Sequence, residues 1–504
     1  MAATLSAERL SPAERALVAD ALRRRRGAAG PQPRDRSQPA PLSFSQLRLW
    51  FLQQWAPQAP TFNAARAFRL RGPLDADALQ RALSGVAERH ESLRTVFLTG
   101  AGAEPHQHTL ASAEIALPCH ELAGPADADV ETRVQAQVRE LSRAPFDLAS
   151  DHMMRAALIR IGAEDHVLVL GIHHIAGDAA STIVLYDELG TLYAAACDGR
   201  PHGLPAPAIQ FADFAVWQRE RLQGQRLADL TAYWTAQLEG APAVLDLPLD
   251  RPRPDVPRHE GAHRHFALPG DVAAGIATLA RDEQATAYMV TLAAFATLLY
   301  RLSGQDDVVV GSPIANRTHA ELADMIGFLS NTVALRVRLD GNPSFRTVVE
   351  RTRETVLGAL AHQEMPFEQV VTALKLPRDA AHNPVFQVNF RAQSAPPVPA
   401  LRGLEVEALA VDVGYARFDL ALELRFGADA LAGYVEYDVD LFDPATIEAL
   451  VAALGELLHQ ITADPDIPIL AIALPALRRT QKRPARRPRP SRGRRAGITE
   501  PEEP

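Results

Sequence analysis

Two adjacent histidines and an aspartate have the types and spacing to do chemistry. His173 and His174 are followed, four residues after the second, by Asp178, within Gly171-Ile-His-His-Ile-Ala-Gly-Asp-Ala-Ala-Ser181. An imidazole titrates near neutrality and can accept or hold a proton at a reacting nitrogen or oxygen. The apolar run Val167-Leu-Val-Leu170 before the pair predicts a buried strand. After it, Ile183, Tyr186, Leu189, Leu192 and Tyr193 recur at helical spacing over 182–193. The histidines therefore belong to a loop at a strand end that feeds a helix.

Other chemistries lack their residues. The chain has no phosphate-binding glycine loop, no His-Glu-x-x-His and no Gly-x-Ser-x-Gly. Cys119 and Cys197, the two cysteines, are too few and too isolated for a disulfide framework or a zinc site, and are expected to be buried or incidental thiols. The absence of an apolar run of ~18 residues argues against a transmembrane helix. The N-terminus lacks a signal-peptide apolar region, which argues for the cytoplasm. The net charge of −9 conceals an asymmetry: residues 478–504 hold ten Lys/Arg and three Glu, so a body at −16 carries a tail at +7. That tail cannot bury a core and is expected to be disordered. Nucleic-acid binding is not expected, because the body shows no basic patch interleaved with aromatics.

At 504 residues the chain is long enough for roughly three units or two large lobes. Ser11-Pro-Ala-Glu14 is a capping box that opens a short amphipathic helix over 11–26. Residues 27–41 read as a flexible Pro/Gly/Ala/Arg linker, so 1–41 precedes the globular body. From 42 to 240 the pattern alternates helix and strand. Leu47, Trp50 and Phe51 mark a helix face, and Phe68–Gly72 a strand. A helix runs from Asp75 through Leu79, Leu83 and Val86 to His90. Extended chain follows over 91–97, then a helix over 129–142, two strands at 153–161 and 166–172, and one long helix over 211–238. Residues 241–262, rich in proline, read as an interlobe connection. A second lobe spans 263–477, with helices at 272–282, 287–303, 344–361 and 444–463. Its strands are expected at 308–310, 332–339, 386–390, 420–424 and 431–437. The expected fold is α/β, of the α+β sandwich type: two similar lobes around a cleft.

Seven segments in order carry a family resemblance. They are Ser43-Phe-Ser-Gln-Leu-Arg-Leu-Trp-Phe-Leu52, Arg89-His-Glu-Ser-Leu-Arg-Thr-Val-Phe97, His173-His174-Ile-Ala-Gly-Asp178, Phe211-Ala-Asp-Phe-Ala-Val-Trp217, Ile326-Gly-Phe-Leu-Ser-Asn-Thr332, His362-Gln-Glu-Met-Pro-Phe-Glu368 and Arg378-Asp-Ala-Ala-His-Asn-Pro384. Together they resemble the condensation domains of nonribosomal peptide synthetases, within the chloramphenicol acetyltransferase-like superfamily. Family-like sequence continues to about residue 477. The chain departs from the family where glycine and often tryptophan follow the aspartate: here stand Ala179 and Ala180. A positive φ at that position would strain an alanine and the loop that carries His174.

The resemblance implies a V-shaped pseudo-dimer of two chloramphenicol acetyltransferase-like lobes with a central tunnel. It implies amide formation between a carrier-bound acyl or peptidyl thioester and the amine of a carrier-bound aminoacyl group. His174 would be the active-site base or positioning group, His173 would orient the loop, and Asp178 would be a structural member salt-bridged to an arginine, for which Arg317 is the candidate. Gly177 is a candidate donor of a backbone N–H near the reacting carbonyl, and Asn331 and Asn383 are loop-fixing groups. Adenylation signatures and a phosphopantetheine-attachment serine are absent. A monomer working with donor and acceptor carrier proteins is thus expected, with no bound cofactor and substrates on the carriers' phosphopantetheine arms. An ester-forming O-acyltransferase and a degenerate docking domain are the alternatives.

Overall fold

The computed structural model describes residues 30–100, 104–122, 129–376, 379, 381–394, 397–411, 414–427 and 431–475. The helix expected at 11–26 and the basic tail at 478–504 lie outside the described residues.

The elements, in chain order, are β1 (Ala40–Pro41), α1 (Phe44–Trp55), β2 (Asn63–Arg71), α2 (Ala76–Arg89), β3 (Thr95–Leu98), β4 (His106–Thr109), β5 (Cys119–Glu121), α3 (Val130–Arg143), β6 (Met154–Gly162), β7 (Asp165–His173), α4 (Ala179–Asp198), α5 (Phe211–Arg221) and α6 (Gly224–Leu238). The second half continues with β8 (Gly261–Leu268), α7 (Gly270–Asp282), α8 (Ala287–Ser303), β9 (Asp307–Ile314), β10 (Asn331–Arg338), α9 (Phe345–Ala361), α10 (Phe367–Leu374), β11 (Val388–Ser394), β12 (Glu405–Leu409), β13 (Leu420–Phe426), β14 (Leu431–Asp438) and α11 (Pro444–Ala463).

The first lobe is built on a five-stranded sheet of order β12-β2-β7-β6-β5. Period-two alternation sends Phe68, Leu70, Leu168 and Leu170 to one face, where they pack with Leu79, Leu83 and Val86 of α2 and Leu185 and Leu189 of α4. The other face sends Ala67, Ile159, Val167 and Val169 against Val134 and Val138 of α3. Asp75 caps α2 by accepting the Ala78 N–H at 2.8 Å. The second lobe has a six-stranded sheet of order β10-β9-β11-β13-β14-β8. Its core joins Leu420, Leu422, Leu424 and Val435 to apolar side chains of α7, α8, α9 and α11. No single helix among the described residues is long and apolar enough to cross a membrane.

Several expectations are corrected. Residues 30–41 are not a free linker: the Arg34 N–H donates to Asp213 Oδ1 at 3.1 Å, and β1 pairs with His106 and Gln107. The helix expected over 211–238 is two, α5 and α6, broken at Leu222–Gln223. Residues Glu91–Arg94 form a 3₁₀ turn before β3 rather than continuous strand. The boundaries at 240 and 263 are crossed twice. Helix α6 buries Leu230, Trp234 and Leu238 in the second core, and β12 pairs antiparallel with β2, Glu405 opposite Arg71. Residues 241–262 run along the second lobe, with Leu245 and Leu247 in its core and the Leu245 N–H on Gln387 Oε1 at 2.8 Å. Cys119 and Cys197 are free and exposed, not buried.

Candidate active site

Strand β7 ends at His173, and His174–Ala176 make one 3₁₀ turn before α4. Asp178 ends that turn as the N-cap of α4: its Oδ1 accepts the Ser181 N–H at 2.9 Å, and the Ser181 hydroxyl accepts the Asp178 N–H at 3.2 Å. Helix α4 therefore begins at Ala179, three residues before the expected start. Ala179 and Ala180 are its first two residues, and neither has a positive φ. The strain considered for this departure is absent, because an alanine is at ease in a first helical turn.

The Asp178 carboxylate joins the two lobes. Arg317 grips it with two bonds, Nη1 to Oδ2 and Nη2 to Oδ1, each 3.0 Å. Oδ2 also accepts the N–H of Leu329 at 3.1 Å, the N–H of Ser330 at 2.9 Å and the Ser330 hydroxyl at 3.0 Å. Both side chains of the pair are almost wholly buried, 4% exposed for Arg317 and 1% for Asp178. Burial alone pushes the Asp178 carboxyl up; the charge and hydrogen bonds of Arg317 and the Ser181 bonds overcome it and hold the group below the usual carboxylate value.

His174 is placed differently. Its Nδ1 stands 2.9 Å from Gly177 O. A carbonyl only accepts, so Nδ1 carries the proton and Nε2 keeps its lone pair. The ring lies against Phe328, centroids 5.4 Å apart. It is enclosed by protein yet partly accessible to solvent. Burial first, then the positive charge of Arg417, depresses it to about 4, against the opposing Gly177 bond and Asp178 charge. His174 is therefore neutral at physiological pH.

His173 is fully buried. Its Nδ1 accepts the Ile175 N–H at 3.2 Å, and its ring meets Phe62 and Phe146 edge-on. Its Nε2 has no partner among the described residues. Burial, then the neighbouring His174, lowers it to about 3. The Gly177 N–H, a candidate donor to a reacting carbonyl, is engaged within the turn. That N–H turns back to His174 O at 3.4 Å, and it is the Gly177 carbonyl that serves the site by fixing the His174 ring. A Cβ there would stand 3.2 Å from Ile172 Cγ2, tight enough to disturb the turn. Asn331 lies at the base of β10, where Nδ2 donates to Gln363 O at 2.9 Å and Met365 O at 2.6 Å, and Oδ1 accepts the Phe367 N–H at 3.1 Å. Asn383 Nδ2 donates to Arg417 O at 2.8 Å.

Two site residues escape sequence reasoning. Gln46 is buried and donates through Nε2 to Ile175 O at 3.2 Å, tying α1 to the histidine loop. Its signal is a glutamine on the apolar helix of the first motif. Arg417 donates through Nη2 to Thr61 O at 2.7 Å, and its guanidinium lies 5.2 Å from the centre of the Phe62 ring. An arginine between Ala416 and Phe418 is its one hint in the sequence.

The two helix-backed sheets, joined through a buried carboxylate beside the histidine pair, have the chloramphenicol acetyltransferase-like fold. The condensation-domain family model matches residues 36–482. The chain is 42% identical over 447 residues to a linear gramicidin synthase of Brevibacillus parabrevis, covering 88% of this chain and 6% of that protein. It is 41% identical over 482 residues to the phosphinothricin tripeptide synthetase PhsC of Streptomyces viridochromogenes, covering 94% of this chain and 44% of that protein. The crystal structure of the X-domain from teicoplanin biosynthesis superposes with a TM-score of 0.80 at 30% identity, over 88% of this chain and 100% of that one. The chain belongs to the condensation-domain family of nonribosomal peptide synthetases, and it spans less than half the length of these two synthetases.

Proposed function

We propose that this chain forms an amide bond between an acyl or peptidyl thioester on one carrier protein and the amine of an aminoacyl thioester on another. The observation that carries this reading is the single free nitrogen of His174, whose partner nitrogen is fixed on Gly177 O. A neutral Nε2 accepts a hydrogen bond from the attacking amine and holds its nitrogen toward the thioester carbon. The C–N bond forms, the C–S bond breaks, and the proton lost by nitrogen ends on the departing thiol. A ring depressed to about 4 is a weak base, so it acts on the proton of the nitrogen once it is bonded to the tetrahedral carbon and positively charged, and positioning carries much of the acceleration. The substrates would arrive on phosphopantetheine arms of partner carrier proteins.

The test is intact-protein mass spectrometry of a loaded donor carrier mixed with an aminoacyl acceptor carrier. Product mass on the acceptor that depends on His174 supports the reading; no product from folded protein with any loaded pair overturns it. A docking platform is a second reading. It is favoured by the similarity to the X-domain, a protein also solved as a complex with OxyB, which superposes at TM-score 0.78 and 31% identity. Binding of loaded carriers without turnover, unchanged in His174→Ala, would select it.

A further inference from the structure

The second sheet has one face under helices and one face that carries charge. Along β11, β13, β14 and β8 the charged face falls in register: Arg391 pairs with Glu423, Glu423 with Tyr434 and Tyr434 with His265, and one step away Glu436 pairs with His263. The alternate residues, Phe390, Leu422, Leu424 and Val435, are buried in the core. The row lies on the side of the histidine pair: Arg417, three residues before β13, stands 5.2 Å from the centre of the Phe62 ring, and that ring meets His173 edge-on.

Within the row, Glu423 is satisfied. It accepts the Tyr434 hydroxyl at 2.8 Å and Arg425 Nε at 2.8 Å. Arg391 is not. Its guanidinium stands 3.7 Å from Glu423 and 3.9 Å from Glu436, both beyond hydrogen-bond length. Its Nε is buried with no partner, and among the described residues the Arg391 side chain makes no hydrogen bond, while it stays 31% exposed. A planar fork of donors enclosed in protein, unfilled and open on one side, matches a carboxylate.

We propose that this row is a side-chain recognition site for the acyl transfer at His174, and that Arg391 selects a substrate whose side chain carries a carboxylate. The proposal rests on the condensation reading. The carboxylate would ride on either the donor acyl group or the acceptor aminoacyl group, and the two positions are distinguished by experiment.

The same mass-spectrometric assay is run with carriers bearing aspartyl, asparaginyl and alanyl groups, first at the acceptor position and then at the donor position. The expected result is a preference for aspartyl over its amide isostere of about tenfold at one position. That preference falls to about one in Arg391→Met, with alanyl turnover kept. Arg391→Lys, which retains the charge but not the fork, reduces it about threefold, and decides the matter if Arg391→Met does not fold. No preference in the wild type at either position overturns the proposal, as does a preference that survives in folded Arg391→Met or that is undiminished in Arg391→Lys. Absence of any product, alanyl included, instead overturns the condensation reading and this proposal with it.

Discussion

Asp178 and His174 stand four residues apart on one loop, and the protein treats them in opposite ways. Asp178 is saturated: Arg317, Ser181, Leu329 and Ser330 occupy both oxygens, and no valence is left for a substrate. His174 has one nitrogen engaged by Gly177 and one left over. Saturation makes a carboxylate part of the scaffold that joins two lobes; a spare lone pair makes an imidazole available to a reaction. Position in a motif therefore does not separate a reacting group from a structural one, but the hydrogen-bond inventory does.

The sharpest way to break that contrast is to remove the saturated member. Asp178→Ala leaves Arg317 buried without a partner, and should cost about 3–5 kcal/mol in denaturant unfolding, with loss of activity as a consequence of unfolding. Asp178→Ala combined with Arg317→Met should recover part of that loss, since the stranded charge is gone. The sign of the pH dependence follows from the lowered Asp178 value. Its contribution is present above the ordinary carboxylate range near pH 4 and is lost as pH falls through the folded value.

His174→Ala should do the converse. Unfolding should shift far less than in Asp178→Ala, while the condensation rate falls about 10²–10⁴-fold. A variant equally damaged in stability would place His174 with the scaffold instead.

Much of this is readable from sequence where periodicity is strong. Helices α8 and α11 run over 287–303 and 444–463 as their patterns indicate, because each buries a continuous apolar face. Strand β8 is not legible. Its sequence, Gly-Ala-His-Arg-His-Phe-Ala-Leu, places His263 and His265 on the polar row, so it lacks the alternation that marks a half-buried strand. Strand β12 and helix α6 join the lobe opposite to the one their place in the chain suggests, and local pattern carries no information about that exchange. At the site, the histidine loop and its aspartate are visible as a motif, whereas Arg417 and Gln46 act through distant backbone carbonyls that no spacing connects.

The two histidines give a smaller, pH-resolved test of the comparison. Both are depressed from an ordinary 6.5, His174 to about 4 and His173 to about 3. A depressed histidine stabilises the fold fully above the unfolded value near 6.5, and the contribution declines as pH falls below it, down to the folded value. Unfolding free energy should therefore begin to drop below pH 6.5, before Asp178 is touched. Direct titration by NMR should show no His174 inflection near 6.5. In Arg417→Met the His174 value should rise, because a neighbouring positive charge has been removed; an unchanged value would show that burial alone sets it.

The mildest perturbation addresses Ala179, the residue that departs from the family's glycine. It opens α4 directly after the Asp178 cap and has no positive φ. Glycine in a helix interior costs roughly 0.5–1 kcal/mol relative to alanine, and less in a first turn. Ala179→Gly should accordingly lower stability slightly and leave the condensation rate unchanged. A gain in rate would mean that the loop needs more freedom than the cap allows, and that the rigidity of Asp178 reaches the His174 ring. An unchanged rate would mean that the two residues are mechanically separate, one holding the lobes and the other free to meet a substrate.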